Sequence, residues 1–232
     1  MAPWEDRFDE ITRRSEDVRR KMFIDSIREK NPSVDPTMVY LTPGEVLRAI
    51  DAEERIARCR SEIRSTNSPS GRKTALIYPD SERKPWTRGT TESLSYRNLF
   101  AALRNLNLES EIEVFALSPL LGIVPEGHFQ TMPMYESSGL QSFMVKRRGL
   151  PWNQEDFKSV IARSSAIVSE FLKMHHGDFS EWHAVYRIPS IHERILQTVL
   201  DADPLPIWKH GSKRSLSESY LDVRKTIDGL KR

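Results

Sequence analysis

The stretch Pro79-Asp80-Ser81-Glu82-Arg83-Lys84-Pro85-Trp86 places a primary amine, two carboxylates, a hydroxyl and an aromatic ring close together, and Ser93-Leu94-Ser95-Tyr96-Arg97 follows shortly after. An amine among carboxylates and hydroxyls can move protons or attack an electrophile. Taken alone, such a stretch is an ordinary loop. The other groupings lead nowhere. Gly71-Arg72-Lys73-Thr74 lacks the earlier glycine of a phosphate-cradling loop and precedes a strand instead of following one. The ten glycines form neither a nucleophile elbow nor a dinucleotide fingerprint. His175, His176 and His183, with Asp178 and Glu181, lack the spacing of a metal site and read as a polar helix end. Lys146-Arg147-Arg148 is a basic triplet that could touch phosphate, although such runs are usually solvated surface.

Secondary-structure elements must position these groups, and the apolar spacing predicts them. Trp4, Phe8, Ile11, Val18, Met22 and Phe23 recur at helical intervals from Trp4 to Ile27. Thr42-Pro43-Gly44-Glu45 is a capping box that predicts one helix running to about Arg64. Ser65 to Lys73 reads as a linker. Beyond it, Thr74 to Pro79 and Ile112 to Ser118 are short apolar runs suited to buried strands, separated by the helical stripe Tyr96, Leu99, Phe100, Leu103 and Leu106. Phe157 to Leu172 marks a long helix begun at Asn153, Trp182 to Ile188 a third strand, and Ser190 with Glu193 caps a further helix. The expected fold is α/β, a mostly parallel sheet flanked by helices with an N-terminal helical extension. The expected domains are a helical extension and linker over 1–73, an α/β domain of catalytic type over 74–208, and a basic C-terminal helix over 209–232. In such a sheet the ligand site lies at the carboxyl ends of the strands, here the segments after Pro79 and after Ser118.

Composition narrows the setting. Among 232 residues, 35 basic and 33 acidic side chains nearly cancel, which argues against a purely electrostatic nucleic-acid binder. The basic part is the tail: 209–232 carries seven Lys and Arg against three acids. Its Tyr220, Val223, Ile227 and Leu230 form a helical seam and read as a docked surface helix. One cysteine, Cys59, and the lack of a signal-type start point to a cytoplasmic protein with no disulfide. No run is long and apolar enough for a bilayer, so no membrane partner is expected.

Two blocks in the correct order resemble the catalytic domain of archaeosine synthase, a relative of the tRNA-guanine transglycosylases. The family motif Pro-Cys-x-x-x-Lys-Pro-Tyr followed by Ser-x-x-His is similar to Pro79 through Trp86 with Ser93 to Tyr96. The family's Ser-Pro-x-Gly-Val-Val-Pro, Tyr-Pro and Tyr-Asp are similar to Ser118-Pro119-Leu120-Leu121-Gly122-Ile123-Val124-Pro125, Pro133 and Tyr135-Glu136. Asp80 stands in place of the family cysteine, Trp86 of its tyrosine and Tyr96 of its histidine.

The resemblance implies an amidinotransferase-like enzyme, or a subunit of one, that joins a nitrogen nucleophile to the nitrile of 7-cyano-7-deazaguanine in tRNA, or in DNA. The implied partners are that nucleic acid, lysine or another amine donor, and a radical S-adenosylmethionine protein that cleaves the adduct. No cofactor and no metal is expected on this chain. Lys84 is then the catalytic lysine. Its pKa must fall from about 10.4 toward neutrality for it to act as a base or nucleophile, helped by Arg83, Arg88 or burial beneath Trp86 and opposed by Asp80 and Glu82. Asp80 would orient the lysine or serve as a base. Ser81, Ser93 and Tyr96 are possible donors to the nitrogen on which charge develops. Trp86 or Tyr135 would stack on the heterocycle and Glu136 accept from its amino group. Ser118 and Gly122 would form the turn by which backbone approaches the ring, and His128 is a possible proton donor. The competing expectation is a non-catalytic binding or assembly subunit of a nucleic-acid modification complex.

Overall fold

The computed structural model describes residues 13–66, 71–213 and 220–231. The chain divides into two compact units, neither continuous in sequence: Met1–Glu53 with Met134–Val160, and Glu54–Pro133 with Ile161–Arg232. The first division therefore falls at Glu53 and not in the linker before residue 74.

The first unit contains helices α1 (Glu16–Lys30) and α2 (Pro43–Ala52). Helix α1 starts at Ser15, whose hydroxyl accepts from Val18 N–H. The expected positions Trp4, Phe8 and Ile11 lie outside the described residues. Phe23, Ile24 and Ile27 cover a small core of Val34, Val39, Leu41, Val145 and Leu150. The Thr42–Glu45 capping box is present on α2 as the sequence predicts.

One helix from Thr42 to Arg64 is not what forms. Helix α2 closes when Glu53 N–H bonds to Ala49 carbonyl, and α3 (Glu54–Ser65) begins anew in the second unit. The apolar stripe explains the break. Val46, Ala49 and Ile50 are buried on α2, and a continuous stripe would need apolar residues at 53 and 57. Position 53 is Glu and Ala57 is exposed, and burial resumes at Ile56, Cys59 and Ile63 on a different phase.

The second unit carries the sheet, formed by β1 (Thr74–Pro79), β2 (Ile112–Ser118), β3 (Gly122–Pro125), β4 (Glu181–Arg187) and β5 (Ile207–Ser212) in the order β3-β2-β1-β4-β5. Strand β1 runs parallel to both β2 and β4, β4 runs parallel to β5, and only β3 is antiparallel. The fold is α/β, a mostly parallel sheet flanked by helices, as the alternation of strands and helices predicts. All seven residues of β2 are buried, which is why it reads as an unbroken apolar run. Helix α4 (Leu94–Asn105) links β1 to β2. A short helix α5 (Ser142–Arg147) lies in the first unit, and α6 (Gln154–His175) begins there, with Asn153 Oδ1 accepting from Glu155 N–H. The part of α6 in the second unit meets α7 (Ile191–Ala202) through Ser165 Oγ, which donates to Ile195 carbonyl. Helix α8 (Tyr220–Asp228) packs on α4 and buries Val223 and Ile227, with Leu230 just beyond it, the docked seam that the sequence predicts.

Strand β5 runs through residue 208, so Lys209–Ser212 belong to the sheet and not to the tail helix expected over 209–232. Only Ile207 of this edge strand is buried, and it therefore lacks the apolar run that marks the central strands. No helix among the described residues is long and apolar enough to cross a membrane.

Candidate functional site

The first block of the family resemblance and the Ser118–Gly122 turn of the second lie at the carboxyl edge of the sheet. Pro79 is in register with Leu117, and Asp80 N–H donates to Leu117 carbonyl at 3.0 Å. The loop after β1 and the turn after β2 therefore leave adjoining strand ends.

The loop folds back on one acceptor. Lys84 Nζ donates to Ser81 carbonyl at 3.1 Å and Trp86 Nε1 donates to the same oxygen at 3.3 Å. Lys84 is only 5% exposed, and its ammonium lies 5.3 Å from the centroid of the Trp86 ring. The Ser81 and Ser93 hydroxyls are 2.7 Å apart and those of Ser93 and Ser95 3.0 Å apart, while Ser93 also caps α4 by accepting from Tyr96 N–H. Asp80, Ser81, Lys84 and Ser93 are thus gathered in one region.

The cations expected to act on Lys84 have carboxylates of their own. Arg88 bonds to Glu126 and lies against the Phe100 ring, and Arg83 sits 3.9 Å from Glu92. Trp86 does not offer an open slot. It is fully buried, stacked on Tyr96 with centroids 5.3 Å apart and planes 12° apart, and it meets Phe129 edge-on. A heterocycle cannot take the place that Tyr96 fills.

Ser118 and Gly122 form the turn of the β2–β3 hairpin. The buried Ser118 hydroxyl accepts from Leu120 N–H and Leu121 N–H, both at 3.2 Å. Gly122 has φ +80°, and a Cβ there would stand 2.6 Å from Ile167 Cγ2, so both conformation and space require glycine. Tyr135 and Glu136 belong to the first unit. Both are buried, and Glu136 joins a backbone bridge, donating to Met38 carbonyl and accepting from Tyr40 N–H. His128 hydrogen-bonds to Thr66, and burial lowers its pKa against the opposing charge of Glu62. Arg148 is buried and donates to Ser138 Oγ at 2.6 Å, so this member of the basic triplet is not a phosphate contact.

A residue that sequence reasoning missed completes the cluster. His192 Nε2 lies 2.9 Å from Asp80 Oδ1, with the two side chains 14% and 11% exposed. The sequence shows His192 inside a capping box, but pairing with Asp80 depends on β4 lying beside β1, which no local pattern reveals. Near it, the Tyr96 and Tyr78 hydroxyls are buried without a hydrogen-bond partner. Burial pushes the Tyr96 phenol well above its ordinary range, with the charge of Asp80 and then Tyr78 adding to it, and burial raises Tyr78 too. Both remain neutral donors at physiological pH. Among the described residues no three His, Cys, Asp or Glu side chains are grouped to hold a metal ion.

Comparisons with protein-family models, with curated proteins and with solved structures find no match to this chain.

Proposed function

We propose that this chain is an archaeosine-synthase-like enzyme, or a subunit of one, that adds an amine to the nitrile of 7-cyano-7-deazaguanine carried in tRNA or DNA. The observation that supports it is that the first resembling block and the Ser118–Gly122 turn of the second leave neighbouring ends of β1 and β2. That edge of a parallel sheet is where α/β proteins bind ligands. Lys84 supplies a donor for the nitrogen that becomes negative as the amine adds. Lysine or another amine is the donor, and a radical S-adenosylmethionine partner cleaves the adduct. A cytoplasmic setting suits these substrates. It also suits Cys59, a buried thiol whose pKa is pushed up to about 11, chiefly by burial and next by Glu62.

The test incubates the full chain with lysine and tRNA bearing the nitrile base, followed by digestion and mass measurement of the nucleosides. The expected product is the lysine adduct, falling about 10²-fold or more in Lys84→Ala. Absence of both the adduct and the amidine left by its cleavage, with the radical partner added, overturns the enzyme reading. The closed stack of Trp86 on Tyr96 favours the second reading, a binding or assembly subunit. Under that reading the chain binds the modified tRNA or the catalytic partner and forms no adduct.

A further inference from the structure

Strand order reverses between β1 and β4. The chain moves from β1 to β2 on one side, then crosses back to place β4 on the other side and β5 beyond it. The crevice outside the carboxyl ends of two such strands is the usual ligand site of an open α/β sheet. Asp80 is the first residue after β1, and His192 lies in the first turn of α7, the helix that follows β4. Their hydrogen bond joins the carboxyl end of β1 to the helix that follows β4.

Both partners are held from behind. Asp80 N–H is fixed to Leu117 carbonyl. Helix α7 starts at a reciprocal capping box, in which Ser190 Oγ accepts from Glu193 N–H at 3.1 Å and Glu193 Oε2 accepts from Ser190 N–H at 3.3 Å. A carboxylate beside Nε2 selects the tautomer that carries its proton there, and leaves Nδ1 with a lone pair. This is the carboxylate–imidazole half of a catalytic triad, in which the acid orients the ring and the ring carries the proton. Beside the pair, Tyr96 from α4 feels the charge of Asp80, and Glu193 on the same helix turns its carboxylate to the cap, where Tyr186 on β4 feels it.

We propose that His192, oriented by Asp80, is the proton shuttle of the amine–nitrile addition; the inference rests on the functional reading above and extends it. The neutral amine nitrogen forms a bond to the nitrile carbon, and one carbon–nitrogen π bond breaks, its electron pair passing to the nitrile nitrogen. His192 Nδ1 takes a proton from the attacking nitrogen and delivers it to the nitrile nitrogen. The product is an amidine, with no net gain or loss of protons and no oxidant or reductant. Asp80 is a positioning residue acting through His192, a role distinct from holding Lys84.

The test measures initial rates of adduct formation against pH for the full chain, His192→Gln and Asp80→Asn, with ¹⁵N resonances of the His192 ring recorded alongside. His192→Gln is expected to slow the reaction about 10²–10⁴-fold. Asp80→Asn is expected to slow the reaction less and to abolish the Nε2–H tautomer preference expected of the native protein. That tautomer measurement keeps the proposal testable if His192→Gln does not fold. A native chain that reacts while His192→Gln matches its rate and pH profile overturns the shuttle alone, as does a ring tautomer that ignores Asp80→Asn. A native chain that makes no adduct overturns the functional reading and the shuttle with it.

Discussion

Trp86 and Tyr96 are both fully buried and stacked on each other, yet their polar atoms fare differently. Trp86 Nε1 has the Ser81 carbonyl, whereas the Tyr96 hydroxyl has no partner. A buried hydroxyl without an acceptor carries its desolvation cost and gains nothing in return. Tyr96→Phe is therefore expected to leave the unfolding midpoint in urea unchanged or raised. Trp86→Ala empties a full aromatic site and is expected to lower stability by about 3–5 kcal/mol. A Tyr96→Phe variant destabilised by as much as Trp86→Ala would show that the hydroxyl has a partner after all. At this scale the sequence displayed Lys84, Ser81 and Ser93 as neighbours because loop and cap are local. His192 was invisible, since the residue it bonds lies more than a hundred positions away.

The outer strands β4 and β5 carry a histidine pair. His183 Nδ1 and His210 Nε2 are 3.1 Å apart, so one ring donates and the other accepts. Burial lowers the His210 pKa, and the proximity of His183 lowers it further. A base whose folded pKa lies below its unfolded value binds its proton more readily in the unfolded chain. Its contribution to stability is thus full above about pH 6.5, and it is lost as pH falls from there toward the depressed value. His128, lowered by burial, acts in the same direction. The melting temperature should fall between pH 7 and pH 5, and His210→Gln should flatten part of that fall in a calorimetric series. An unchanged slope would show that His210 does not change its protonation on unfolding. The sequence revealed β4 by its apolar core, but not β5, because an edge strand buries little and leaves no periodic trace.

The connectivity of the whole chain makes each unit depend on segments distant in sequence. In the first unit Gly139 N–H donates to Tyr40 carbonyl at 2.9 Å, and a Cβ at Gly139 would stand 2.5 Å from Thr42 N and 2.7 Å from Thr42 O. Backbone cannot yield there as a flexible side chain would. Gly139→Val is expected to cost about 1–3 kcal/mol or more by overpacking and to expose Val145 and Leu150, read as increased binding of a hydrophobic dye. Native-like dye binding and melting would show that the two segments do not meet as described.

The sequence by itself determined the local elements: the capped starts of α2 and α7, the apolar stripe of α4, the buried strands β1 and β2, the long α6, the apolar seam of α8, and hence the α/β class. These follow from interactions within a few residues, where periodicity and capping chemistry act. Only the tertiary structure decided that α2 and α3 fall in different units, that Tyr135 and Glu136 belong to a different unit from Lys84, that Trp86 is core, and that Asp80 meets His192. Those outcomes depend on which strand lies beside which and on what fills the space between. Long-range packing sets both.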